Sequence, residues 1–155
     1  MQFENLKAII DFAIEKEKEA AEFYDDVSER EPFAGSKEML KEFAAQERKH
    51  QAMLEKFLTQ GVDQNVAEYK LKWITDIKRS NYVVDMEYQE GMGYNELLML
   101  AMKREEKALA LYNKLEKEVE DAKSKKLFQV LSQEEAKHKL FLETKYDDYM
   151  ANMGD

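Results

Sequence analysis

The chain has 155 residues, 44% apolar and 37% charged, with one proline, five glycines and no cysteine. That size supports a single domain, 1–155, with a core of its own, and the composition is that of long amphipathic helices, not of sandwiches or disorder. The net charge of −9 argues against a nucleic-acid partner. Without cysteine there is no disulfide frame, thiolate metal site or iron–sulfur cluster. The stretch Met1-Gln2-Phe3-Glu4-Asn5 is unlike a signal peptide, and no apolar run nears the roughly 20 residues of a membrane span. A soluble cytoplasmic protein with no membrane partner is expected.

The first helix is predicted over 3–30, with Leu6, Ile10, Ala13, Glu17, Ala20 and Tyr24 along one seam. Pro32 and Gly35 break the chain. A second helix over 36–59 carries Leu40, Phe43, Glu47, His50, Leu54 and Phe57, with Ser36 as its expected N-cap. Residues 60–94 are too many for a tight turn and enough to cross the length of a bundle. Val66, Tyr69, Trp73 and Ile77 suggest a helix within this crossover, with Trp73 as an apolar anchor, and Gly91 and Gly93 loosen its end. The third helix, 95–121, has Leu98, Ala101, Glu105, Ala108, Tyr112 and Leu115 on its seam, with Asn95 as N-cap. The fourth, 124–150, has Phe128, Leu131, Glu135, His138 and Leu142, with Ser124 as N-cap. All four seams step by three and four, the spacing of a bundle core. Lys123, Lys125 and Lys126 read as a solvated turn, Glu106 as solvent-facing, and the nine methionines as core filler.

The two halves are copies. At an offset of 88, residues 13–57 align with 101–145 without a gap, and 12 of the 45 positions are identical. The identities include Glu17/Glu105, Ala20/Ala108, Tyr24/Tyr112, Glu47/Glu135 and His50/His138. The two Glu-x-x-His steps hold the only two histidines, and each follows its seam glutamate by 30 residues. Each step puts a carboxylate and an imidazole one turn apart on one helix face. The midpoint of Glu17 and Glu47 is Pro32, so in an antiparallel hairpin both lie 15 residues, roughly 22 Å, from the turn. The midpoint of Glu105 and Glu135 is Glu120, where no glycine or proline marks a turn.

Glutamates on apolar seams demand an explanation, because unpaired carboxylates in a bundle interior are costly. Two divalent cations would set +4 against −4, with the imidazoles completing the ligand set. The predicted metal ligands are therefore Glu17, Glu47, His50, Glu105, Glu135 and His138, with Glu47 and Glu135 bridging. Which histidine pairs with which terminal glutamate is left open. Oxygen-rich ligation with one histidine per ion suits iron or manganese better than zinc. Tyr24 and Tyr112, two turns after Glu17 and Glu105, could hydrogen-bond a ligand carboxylate or act in redox chemistry, and core tyrosines with satisfied hydroxyls fit equally well. Ala20 and Ala108 would make room for metals or ligands. Two helical hairpins joined by a long crossover define an all-α, ferritin-like four-helix bundle.

The pattern Glu17-x-x-Ala20-x-x-x-Tyr24 and Glu47-x-x-His50, repeated as Glu105-x-x-Ala108-x-x-x-Tyr112 and Glu135-x-x-His138, resembles the rubrerythrins of the ferritin-like diiron-carboxylate superfamily. The resemblance spans about residues 1–150. It implies two iron ions, reduction of hydrogen peroxide or dioxygen, electrons from a reduced partner, and a homodimer. A typical rubrerythrin carries a four-cysteine rubredoxin domain. This cysteine-free chain would rely on a separate donor such as a rubredoxin or flavoprotein. Many rubrerythrins also have a further glutamate one turn after the ligand of the third helix. Here that position is Ala108, which makes the ligand set more symmetric. Rival readings are an iron-binding or ferroxidase protein for storage or detoxification, and a regulatory or interaction bundle that keeps the ligands.

Overall fold

The structure, a computed structural model, describes residues 5–61, 64–72, 74, 76, 78, 80 and 86–153. Every regular element among them is a helix: α1 (Leu6–Arg30), α2 (Ala34–Gln60), α3 (Gln64–Ala67), α4 (Tyr94–Glu118) and α5 (Ala122–Met153). None of these helices is long and apolar enough to cross a membrane. The chain divides into two compact units, one ending at Glu68 and the other beginning at Tyr69.

In the first unit α1 packs against α2. Asn5 caps α1, its side-chain oxygen accepting the Ala8 N–H at 2.9 Å. The turn falls at Glu31–Phe33, centred on Pro32 as the symmetry of Glu17 and Glu47 requires. Phe33, not Ser36, occupies the N-cap of α2 and supplies no side-chain cap. The helix starts two residues before Ser36 and leaves that side chain buried inside it. Ile10, Ala13, Tyr24, Leu40, Phe43 and Leu54 form the apolar seam, with Glu17, Glu47 and His50 buried among them. Gly61 ends α2 at φ 76°, where its N–H closes on Phe57 O at 3.1 Å. That left-handed conformation suits a residue with no Cβ.

The second unit pairs α4 with α5. Its turn is Val119–Asp121, centred on Glu120 although no glycine or proline marks it. Asp121 takes the N-cap role expected of Ser124: its carboxylate accepts both the backbone N–H and the hydroxyl of Ser124 at 2.9 Å. Those two bonds hold the Asp121 carboxyl below its ordinary range. Gly93, not Asn95, is the N-cap of α4. A turn closed by Met92 N–H on Gln89 O at 3.2 Å precedes it, with Gly91 at φ 85°, the position where such a turn wants glycine. Lys123 is exposed as expected, but Lys125 and Lys126 are half-buried. They donate to Glu116 O at 3.2 Å and Tyr69 O at 2.7 Å.

Among the described residues of the crossover one short helix forms, the one-turn α3 around Val66, and Trp73 and Ile77 lie outside the described residues. Beyond α3, Tyr69, Lys72, Asp76 and Ser80 bond to α5 and form a strap along it. Tyr69 hydroxyl donates to Glu134 at 2.8 Å, and the Gln133 amide group pairs with both backbone groups of Lys72. Further along, Lys139 Nζ reaches Asp76 at 2.6 Å, and Glu143 accepts the Ser80 N–H at 2.8 Å. From α4, Lys103 Nζ donates to Ser80 O at 3.3 Å and pairs with Glu106 at 2.7 Å, so Glu106 is half-buried and partnered instead of facing solvent. A strap lacking its own ladder must satisfy its backbone groups on neighbours, and these side chains do so.

Lys139 and Glu143 are both buried and lie 3.1 Å apart. Burial by itself disfavours the Lys139 charge, but its bonds to Asp76 and Glu143 outweigh this and raise it above its ordinary range. Removing one partner of such a pair leaves an uncompensated buried charge, at a cost of about 3–5 kcal/mol. Lys139→Ala is therefore expected to lower the unfolding free energy by about 3 kcal/mol or more in urea titrations.

Candidate metal centre

In the first unit, α1 supplies Glu17 and α2 supplies Glu47 and His50. Glu47 and His50 face the same way because they are one turn apart. Glu17 meets them because α1 and α2 are symmetric about Pro32. His50 Nδ1 lies 3.5 Å from Glu17 Oε1 and 3.8 Å from Glu47 Oε2. One ligand atom from each of the three lies within 4.8 Å of the others, and all three side chains are buried.

The second unit repeats the arrangement. Glu105 on α4 meets Glu135 and His138 on α5, and His138 Nδ1 lies 3.8 Å from Glu105 Oε2. Their ligand atoms also lie within 4.8 Å of one another, and both glutamates are buried. Each histidine thus stands beside the terminal glutamate of its own hairpin, a pairing that the spacing alone left open.

A first-row cation fits these half-sites. Donor atoms that share an ion at roughly 2.1 Å can be at most about 4.2 Å apart. The imidazole-to-carboxylate distances of 3.5 and 3.8 Å fall inside that limit. Each half-site offers two carboxylates and a neutral-capable imidazole, so one divalent ion would balance the charge of each. In the first unit the Glu17 carboxyl is raised to about 8, mainly by burial and next by the hydrogen-bonded Glu47 carboxyl, with His50 acting in the opposite sense. Burial and the neighbouring Glu47 carboxyl thus favour the protonated form of Glu17.

Tyr24 and Tyr112 are buried in matching places. The Tyr24 ring packs on Phe43 with centroids 5.6 Å apart, and the Tyr112 ring on Phe128 at 6.1 Å. The aromatic partner has changed register between the copies, because Phe43 aligns with Leu131 and Phe128 with Leu40. Ala20 and Ala108 are only partly buried. The strap contacts of Asp76, Ser80, Lys139 and Glu143 escaped the sequence reading. Glu143 is one of the repeat identities, but its counterpart Glu55 is exposed, so the pattern carried no sign of burial.

Helical hairpins that each bring together two buried glutamates and a histidine define the carboxylate-bundle class, the all-α ferritin-like four-helix bundle. A family model described as rubrerythrin matches residues 8–146. Among solved structures, a hypothetical protein from Pyrococcus furiosus matches with a TM-score of 0.63 and 26% identity, covering 93% of this chain and 89% of that one. No curated protein matches. The chain belongs to the rubrerythrin family, ferritin-like proteins of the diiron-carboxylate kind.

The raised Glu17 carboxyl sets a pH dependence for the metal-free protein. The folded state holds this proton more tightly than the unfolded state. The stability it contributes is complete below 4.5 and is lost as pH rises through about 8. Thermal unfolding of the metal-free chain should show its midpoint falling across this range, and Glu17→Gln should flatten that fall. Cation affinity should rise over the same range, since binding must displace the proton.

Proposed function

We propose that this protein is a diiron-carboxylate oxidoreductase that reduces hydrogen peroxide or dioxygen with electrons from an external donor. The observation that carries the reading is the duplicated Glu, Glu and His set, one in each unit, with all four carboxylates buried. In this reading residues 1–155 act as one domain and the half-sites share one dinuclear centre. Glu17, Glu47 and His50 would hold one ion and Glu105, Glu135 and His138 the other, with Glu47 and Glu135 as the ligands the two ions would share. Bound ferrous ions would supply the two electrons that the oxidant needs, which favours iron over a purely structural cation.

The chain's own residues supply the setting. The buried seam excludes water, which strengthens every charge interaction around the carboxylates. The raised Glu17 carboxyl favours a proton that a cation would have to displace, so loading the centre would be coupled to proton release. Tyr24 and Tyr112 wall the seam two turns from Glu17 and Glu105, where a hydroxyl can serve a ligand carboxylate. No cysteine lies within these residues, so reducing equivalents would come from a separate carrier such as a rubredoxin or flavoprotein. A homodimer in the cytoplasm is the setting the family relationship suggests.

The test is loading with ferrous iron without oxygen. The native chain is expected to retain about two irons and Glu47→Ala one or none. The loaded protein should be oxidised by peroxide faster than free ferrous iron and should turn over with a reduced donor. Oxidation without turnover would favour the ferroxidase role. Failure to retain iron would end the metal reading.

A further inference from the structure

The two half-sites carry the same ligands but are not equally enclosed. In the first, the side chains of His50, Glu17 and Glu47 are 2%, 3% and 3% exposed. In the second, Glu105 is 2% exposed and Glu135 is fully buried, but the His138 side chain is 16% exposed. The opening is therefore at one imidazole. Its surroundings also differ from those of His50. Three residues after His50 stands the half-buried Met53, on the same helix face. The residue aligned with Met53 is Phe141, 46% exposed, with Lys145 Nζ 5.5 Å from its ring centroid. The next side chain, Lys139, is drawn to Asp76 and Glu143, whereas its aligned residue Gln51 makes no such ion pair.

We infer that the two metal positions differ in access: the ion held by Glu105, Glu135 and His138 is the exchangeable one, and small exogenous ligands reach the centre from the His138 side. This rests on the dinuclear reading above. The physical reason is general. An ion leaves an enclosed site by stepwise replacement of its ligands, and each step needs room for an incoming water or chelator oxygen. The edge of His138 gives that room, whereas the His50 side chain is 2% exposed. The duplication thus produced one retained position and one open to solution, from identical ligand residues.

The test is chelator-driven release from the native chain loaded with two cobalt(II) ions, followed by the visible absorption of bound cobalt. Release in two phases of equal amplitude is expected, with rates about tenfold apart or more, the scale on which the surroundings of ligands tune metal binding. His138→Ala should keep only a slowly released ion, and His50→Ala only a rapidly released one. Two bound ions leaving in a single phase, or the opposite assignment in the variants, would overturn the inference and leave the dinuclear reading standing. Fewer than two ions bound by the native chain would fail the dinuclear reading itself. Acylation of imidazoles in the metal-free native protein, read by mass spectrometry, tests the same point without any variant. His138 should be labelled well before His50, and equal labelling would overturn the inference.

Discussion

The constraint on which this structure depends is the cost of carboxylate charge inside a helical seam. Each hairpin buries two glutamates where the helix period calls for apolar side chains. An isolated ionised carboxylate does not survive there. It takes up a proton, finds a cationic side chain, or binds a metal ion. The chain shows the first two outcomes side by side. Glu143 is buried with Lys139 and a backbone N–H as partners. Glu17 is buried beside another carboxylate and a histidine, and its carboxyl is raised. The first arrangement is complete with protein atoms alone. The second places donors at the spacing a cation spans and could hold a metal ion.

The duplication explains how one small chain assembles such donors. A hairpin needs only a seam glutamate on one helix and Glu-x-x-His on the other, at equal distance from the turn. The two copies meet this with different turns, one marked by Pro32 and one capped by Asp121. They then diverge on the outer face. In the second unit Lys103, Glu106, Lys139 and Glu143 hold the strap, where the aligned residues of the first are Glu15, Lys18, Gln51 and Glu55. The ligand sets stayed the same while their surroundings did not. The exposure of the two imidazoles differs as well, 2% at His50 and 16% at His138.

The legible features were those with a strict period. Seams stepping by three and four located four long helices, and hairpin symmetry put both turns within a residue of where they are. The same symmetry brought Glu17 to Glu47 and His50, and Glu105 to Glu135 and His138. The illegible features depend on local competition or on distant partners. Ser36, Asn95 and Ser124 are good cap residues by type, but each lies inside its helix, because helix starts are decided by which residue first closes a backbone bond. The crossover residues have helical spacing, yet beyond α3 the described part of the chain bonds to α5. Its pairing partners are some 60 residues away, as in Ser80 with Glu143 and Tyr69 with Glu134, and no local pattern announces them. Lys125 and Lys126 misled for the same reason: a basic run is usually solvated, but here two of its members have carbonyls to bind.

The central claim is that the buried glutamates destabilise the metal-free fold and that divalent cations reverse this. Thermal unfolding of the native chain tests it directly, without and with manganese(II), beside a variant carrying Glu17→Gln, Glu47→Gln, Glu105→Gln and Glu135→Gln. The account predicts that the metal-free native chain melts below the glutamine variant, and that the cation raises the native midpoint while leaving the variant unchanged. A native midpoint indifferent to the cation, or a glutamine variant less stable than the metal-free native chain, would contradict it.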